Sequence, residues 1–149
     1  MKRLPWKYVA GLVDGEGCVA VGFRHKNGNI FLQLSLQLTL TESCKFVLDM
    51  LKNSFGGNLY RQEYESKNWK PTYCWRVYEK TKLRALLQNL YNYSYIKKEQ
   101  MKFAIWCLDN IKHALPHDVA KAIKEEFKLQ KSDPHRLSEK AVERILQVL

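Results

Sequence analysis

From Leu32 to Leu40 the chain alternates without a fault. Leu32, Leu34, Leu36, Leu38 and Leu40 take turns with Gln33, Ser35, Gln37 and Thr39. This is the period of a strand with one aliphatic and one polar face, and a one-residue slip in pairing would bury the polar set. Before it, across Cys18 to His25, Val19, Val21 and Phe23 alternate with Ala20, Gly22 and Arg24. Between the two lies Lys26-Asn27-Gly28-Asn29, whose Asn-Gly pair favours a tight hairpin turn. A second hairpin is expected from Asn58 to Glu65 and from Thr72 to Glu79, with residues 66–71 as a polar turn. Tyr73, Trp75 and Val77 are expected to face the core. Thr72, Cys74, Arg76 and Tyr78 then point outward, with Arg61 and Glu63 on that same outward side.

The remaining segments have helical period. Leu4 to Gly15 predicts a helix with Pro5 in its first turn, where proline is tolerated, and an apolar face of Tyr8, Val9, Leu12 and Val13. It is expected to stop at Gly15-Glu16-Gly17, through the positive φ that glycine adopts readily. Thr41 to Ser54 predicts a helix capped by Thr41, with Val47, Met50 and Leu51 inward, Phe46 as a further candidate, and Gly56-Gly57 at its end. Leu83, Leu86, Leu87 and Leu90 mark a helix over 82–93, and a further one runs to His113. Asp118 and Ser138 are placed as caps of two C-terminal helices. The order is helix, hairpin, helix, hairpin, helices. That predicts an α+β domain spanning residues 1–149, with one four-stranded antiparallel sheet and helices on its aliphatic face.

Charge changes what the polar face means. The chain has 149 residues, 46% of them hydrophobic, and 25 Lys and Arg against 15 Asp and Glu, a net charge of +10. A polyanionic partner is favoured, nucleic acid before anionic membrane. No apolar run reaches the roughly 20 residues of a membrane span, and no signal core or small-molecule motif is evident. Amides and hydroxyls, not a Lys/Glu mixture, line the strand. Gln33 and Gln37 can read adenine, and Ser35 and Thr39 can meet any base edge. A solvated sheet face is the alternative. Arg61 and Arg76 can serve as forks for guanine or phosphate, or join ordinary cross-strand pairs with glutamate. Cys18, Cys44, Cys74 and Cys107 have no metal-ligand spacing and are expected as thiols in a reducing compartment; the four histidines show no ligand spacing either.

The stretch from Val9 to Gly17, Val-Ala-Gly-Leu-Val-Asp-Gly-Glu-Gly, is poor material for a surface helix, since Gly11 costs about 1 kcal/mol there relative to Ala. Close approach of a second helix against Ala10, Gly11 and Gly15 would offset that cost. Its carbonyl end, together with a carboxylate, makes a seat for a hard divalent cation.

These nine residues resemble the motif of the LAGLIDADG homing endonucleases, with Glu16 where the family more often has Asp. The hairpins that follow fit the family's αββαββα core over about residues 4–113. Residues 117–149 resemble the C-terminal helices of its homodimeric, single-motif, I-CreI-like type. The resemblance implies site-specific, Mg²⁺-dependent cleavage of both strands of a long, near-palindromic DNA site. Glu16 maps onto the catalytic, metal-binding acid, with the Gly15 carbonyl close to the metal. Glu42 maps onto a position, often Gln, that holds a water. Lys97 maps onto a basic residue near the scissile phosphate, with Lys98 its rival. The sheet would sit in the major groove, with Arg24, Lys26, Gln33, Ser35, Gln37, Thr39, Arg61, Glu63, Thr72, Cys74 and Arg76 facing DNA. One motif supplies one acid and two strands need two, so a homodimer is implied, through Tyr8, Ala10, Gly11, Leu12 and Asp14. The family also implies an organellar or microbial cytoplasmic setting and an origin inside an intron. A DNA binder that has lost cleavage, and an RNA maturase, are the alternatives of the same fold.

Overall fold

The computed structural model describes residues 3–64 and 68–149, so part of the expected turn at 66–71 lies outside the described residues. The elements are α1 (Trp6–Glu16), β1 (Gly17–Lys26), β2 (Asn29–Thr41), a 3-10 turn (Glu42–Cys44), α2 (Lys45–Phe55), β3 (Asn58–Gln62), β4 (Thr72–Val77), α3 (Lys80–Tyr91), α4 (Lys98–Asn110), α5 (His117–Ser132) and α6 (Ser138–Val148). The strands form one antiparallel sheet in the order β1-β2-β4-β3. The fold is α+β, as the patterning predicts.

The aliphatic side of β2 decides the packing. Val19 pairs with Leu36, Leu36 with Val77, and Leu38 with Trp75, so one face of three strands presents a continuous apolar layer. Leu36, Leu38 and Trp75 are fully buried beneath Val9, Ala10 and Val13 of α1, Leu48 and Leu51 of α2, and the four leucines of α3. Burial of this kind contributes about 1.5–3 kcal/mol per large side chain and is the dominant favourable term. Trp75 also donates its indole N–H to the Gly56 carbonyl at 2.8 Å, which satisfies its one polar atom.

The β1–β2 turn has φ of 52° at Asn27 and 79° at Gly28, the left-handed pair that matches strand twist. The hairpin projects beyond the rest of the sheet, because β4 pairs only with Leu36 to Thr41 of β2.

Several local expectations are corrected. α1 does not end on a left-handed glycine; Gly17 has φ −87° and ψ 172°, so the helix passes straight into β1. Gly17 is required for a different reason, since a Cβ there would stand 2.8 Å from the Val13 carbonyl oxygen. Thr41 makes no side-chain cap bond and leads into the 3-10 turn instead. Phe46 is exposed rather than inward. Pro116 and Leu137, not Asp118 and Ser138, occupy the N-cap positions of α5 and α6. Glu79 does cap α3, accepting from the amides of Thr81 at 3.0 Å and Lys82 at 2.9 Å.

Gly57 is the tightest joint, with φ 92° and an imagined Cβ 2.7 Å from the Arg76 carbonyl oxygen. Gly57→Ala is therefore expected to destabilise the protein by about 2–4 kcal/mol, read as a lowered midpoint in urea unfolding.

Candidate nucleic-acid interface and catalytic end

The outer face of the sheet follows from the pairing register. On β1 and β2 it carries Arg24, Lys26, Phe31, Gln33, Ser35, Gln37 and Thr39. On β4 it carries Thr72, opposite Thr41, Cys74, opposite Thr39, and Arg76, opposite Gln37. The structure therefore brings those expected residues onto one surface. Their depth varies: Arg24, Lys26 and Gln33 are exposed, whereas Ser35 and Cys74 are recessed.

Arg61 and Glu63 do not belong with them. Leu59 pairs with Trp75 and Arg61 with Tyr73, so period two turns Arg61 towards the inner side. There it meets Glu63 and stands 3.7 Å from Glu42. The outward residues of β3 are Asn58, Tyr60 and Gln62, opposite Arg76, Cys74 and Thr72. Leu59 was the signal that could have found them. As the lone aliphatic residue of that segment it had to point inward, which fixes its neighbours as outward.

Arg76 is not a free fork. With the Gln37 amide turned so that its oxygen faces the donors, Gln37 accepts from Nε of Arg76 at 3.0 Å, from an Nη of the same guanidinium and from the Ser35 hydroxyl. The guanidinium is thus held in one orientation. Beside it lies a hollow of about 130 Å³ lined by Ala20, Gly22, Gln33, Ser35, Gln37, Arg76 and Tyr78. Further out, the Arg24 guanidinium stacks 5.7 Å above the Phe31 ring.

At the other end of β1 stands the C-terminus of α1. The Asp14 carboxylate accepts from the amides of Tyr95 at 2.8 Å, Lys97 at 3.1 Å and Ile96 at 3.2 Å, and from the Ser94 hydroxyl. Burial pushes its carboxyl up. The bonds from Ser94, Tyr95, Lys97 and Ile96 pull it down further, so it lies below the ordinary aspartate value. Lys97 closes the arrangement by donating its Nζ to the Asp14 carbonyl at 2.7 Å. Lys98 points elsewhere, with its Nζ 4.9 Å from the Tyr91 ring centroid. Two residues beyond Asp14, the Glu16 side chain is exposed. Glu42 is exposed where β2 ends, at the same end of the sheet as Glu16.

The expected interface residues also separate. Ala10 is fully buried against its own chain, so it cannot meet a second copy. Asp14 is occupied by the loop before α4. The face left open is Tyr8, Gly11 and Gly15, with the half-buried Leu12 beside them, at i, i+3, i+7 and i+4, and nothing lies within 4 Å of a Cβ built on Gly11 or Gly15.

Residues 9–108 match the family described as LAGLIDADG endonuclease. The chain belongs to that family. No curated protein matches it. Among solved structures it is similar to the homing endonuclease I-CvuI in complex with an I-CreI target, at 20% identity and a TM-score of 0.64, covering 95% of this chain and 92% of that one. I-TnaI is similar at 16% identity and a TM-score of 0.57, with 98% of both chains covered. I-GzeII, solved with a DNA target, matches at 19% identity and a TM-score of 0.58 over 91% of this chain and 50% of its own.

In this LAGLIDADG protein the motif spans the last two turns of α1 and the first residue of β1. Its donors are all hard oxygens: the Glu16 carboxylate, and the Gly15 carbonyl among the last four of a helix, which lack intrahelical partners. That chemistry suits Mg²⁺. Among the described residues, however, no three His, Cys, Asp or Glu side chains lie close enough to hold a metal ion. No described helix is long and apolar enough to cross a membrane.

Asp14→Asn leaves backbone donors without their anionic partner. It is expected to lower stability by about 1–3 kcal/mol at neutral pH. A depressed carboxyl contributes stability above its unfolded pKa, about 3.9, and loses it as pH falls through the folded value. The difference between the two proteins in urea titrations should thus be constant above about pH 5 and shrink below about pH 4.

Proposed function

We propose that the protein is a homodimeric, Mg²⁺-dependent homing endonuclease that cuts both strands of a near-palindromic DNA site. The observation that carries this reading is the pairing of two features on one helix. Glu16 presents an exposed carboxylate at the end of α1, and Gly11 and Gly15 leave the adjoining face bare. Two copies of α1 packed through Tyr8, Gly11, Leu12 and Gly15 would set two Glu16 carboxylates beside each other at the symmetry axis. The metal site, short of ligands in one chain, would be completed by the second copy and by DNA phosphates. The single motif agrees with a chain that spans only half of I-GzeII.

Each residue has a role in that arrangement. Glu16 and the Gly15 carbonyl would hold the metal, and Glu42 would accept a hydrogen bond from the attacking water. Lys97 places positive charge beside the scissile phosphate while holding the end of α1. Bound Mg²⁺ would supply Lewis-acid polarisation of the phosphate and a lowered pKa for water. Arg76, oriented by Gln37, reads guanine, and Tyr60 and Gln62 join Thr39, Thr72 and Cys74 in reading the inner part of each half-site. Arg24, Lys26 and Gln33 read its outer part. Across Ala20 and Gly22 the face carries almost no side chain, so selectivity there is weak.

A cleavage selection on a randomised duplex library with Mg²⁺ tests the reading. Glu16→Gln should reduce cleavage by at least about a hundredfold while keeping specific binding. Full cutting by that variant would refute the assigned acid. Specific binding by the wild type without cutting would leave a DNA-binding protein. Gly11→Leu should keep the unfolding midpoint of the chain, since the position is open and Leu is the better helix former. In sedimentation velocity it should shift the protein from dimer to monomer and abolish double-strand breaks; a fully active dimeric Gly11→Leu protein would exclude the α1 interface.

A further inference from the structure

Charge is sorted on α5. Its two mid-helix acids are both engaged: Glu126 is fully buried, accepting from Nε and Nη2 of Arg136 at 2.9 Å each and from Nη1 of Arg144 at 3.1 Å, and the half-exposed Glu125 pairs with Arg144. Asp118, in the first turn, accepts from the Val119 amide at 3.0 Å. The outward positions are Lys121, Lys124, Lys128 and Lys131, all exposed and spaced by three, four and three residues. That spacing places them in one row along the helix. None of the four takes part in any of the ion pairs among the described residues. Other helices mix paired and unpaired cations. Lys45, Arg84 and Lys102 each meet a carboxylate.

The row is continuous with the β1–β2 hairpin. Lys121 and Lys124 line a pocket of about 220 Å³ together with His117, Phe23, His25 and Ile30, and Ile30 bridges to Leu115 just before α5. β1 has ten residues, so the hairpin tip lies about 30 Å from the Glu16 end. Phe23, His25 and Ile30 belong to the helical side of the hairpin, so the lysine row begins behind the hairpin tip, at the end of the sheet far from Glu16. From Lys121 to Lys131 it is about 15 Å long, the length of roughly four phosphates along one strand of B-form DNA.

We propose that the lysine row of α5 is a phosphate-backbone track that grips duplex flanking the recognition site on each side, adding affinity without sequence preference. This rests on the endonuclease reading above, and it adds a contact outside the sheet. Uncompensated lysines that release counterions from DNA contribute to affinity in a salt-dependent, sequence-independent way. Two-fold symmetry would place one row at each outer end of the site.

The test uses two duplexes carrying the selected site, one ending at its edges and one extended by a helical turn on either side. Lys121→Gln, Lys124→Gln and Lys128→Gln are combined in one protein. Lys52→Gln, Lys112→Gln and Lys140→Gln, exposed positions off the row, are combined in a second with the same loss of charge. The wild type should bind the extended duplex about tenfold or more tightly than the short one near 0.15 M salt, with a steeper fall of log K against log salt. The α5 variant should lose that preference and the extra slope, yet bind the short duplex as the wild type does, while the second variant keeps the preference. A wild type indifferent to the flanks overturns the proposal, as does an equal loss in both variants, which would make it a matter of net charge. Binding to neither duplex overturns the endonuclease reading and this proposal with it; binding to the short duplex without gain from the flanks overturns this proposal alone.

Discussion

Asp14 holds the structure's two halves in register. Its carboxylate gathers the amides of Tyr95, Ile96 and Lys97, and Lys97 returns to the Asp14 carbonyl. One residue of α1 thereby fixes the entry into α4, more than eighty residues further along the chain. A buried or half-buried carboxylate surrounded by amide donors stays ionised, and its charge in turn orders the loop. Because α1 runs without a turn into β1, the same anchor sets the position of Glu16 relative to the sheet. A loose α1 end would place the exposed carboxylate with no precision.

The sheet supplies the second constraint. A period of two allows only two faces, and the aliphatic set of β2, joined by Val19, Trp75 and Val77, commits one of them to the core. Everything opposite is then committed to the outer surface. Polar groups there are not merely solvated. Gln37, Ser35 and Arg76 form a bonded unit, so one guanidinium is pre-oriented before any partner arrives. Pre-orientation lowers the ordering cost of binding. The bare strip at Ala20 and Gly22 has the opposite character, leaving room and no functional group.

Charge is distributed by the same logic. Carboxylates on the helical side are largely engaged: Glu126 and Glu125 by arginines, Asp109 by Arg84, Glu139 by Lys102. The excess of basic residues is consequently left on outward positions. The net charge of +10 is thus carried by cations left on outward positions, where a polyanion can meet them.

The sequence by itself determined the strand alternation, the Asn-Gly hairpin, the helix–hairpin order and the glycine-acid motif, because each is written in neighbouring residues with a local physical cause. It also placed two acids, Asp14 and Glu16, at a helix end, and the resemblance to the family singled out Glu16. Only the tertiary structure decided which neighbours each residue has. Ala10 and Gly11 are adjacent in a small-residue run, yet one is sealed in the core and the other is open, a matter of helix rotation. Arg61 changed faces because Leu59 has to meet Trp75. Asp14 became an intramolecular anchor because a distant loop brings three amides to it. Lys97 was separated from Lys98 by the direction in which α4 begins. Apart from the face of Arg61, which the lone Leu59 signals locally, these are long-range packing outcomes that no local periodicity encodes.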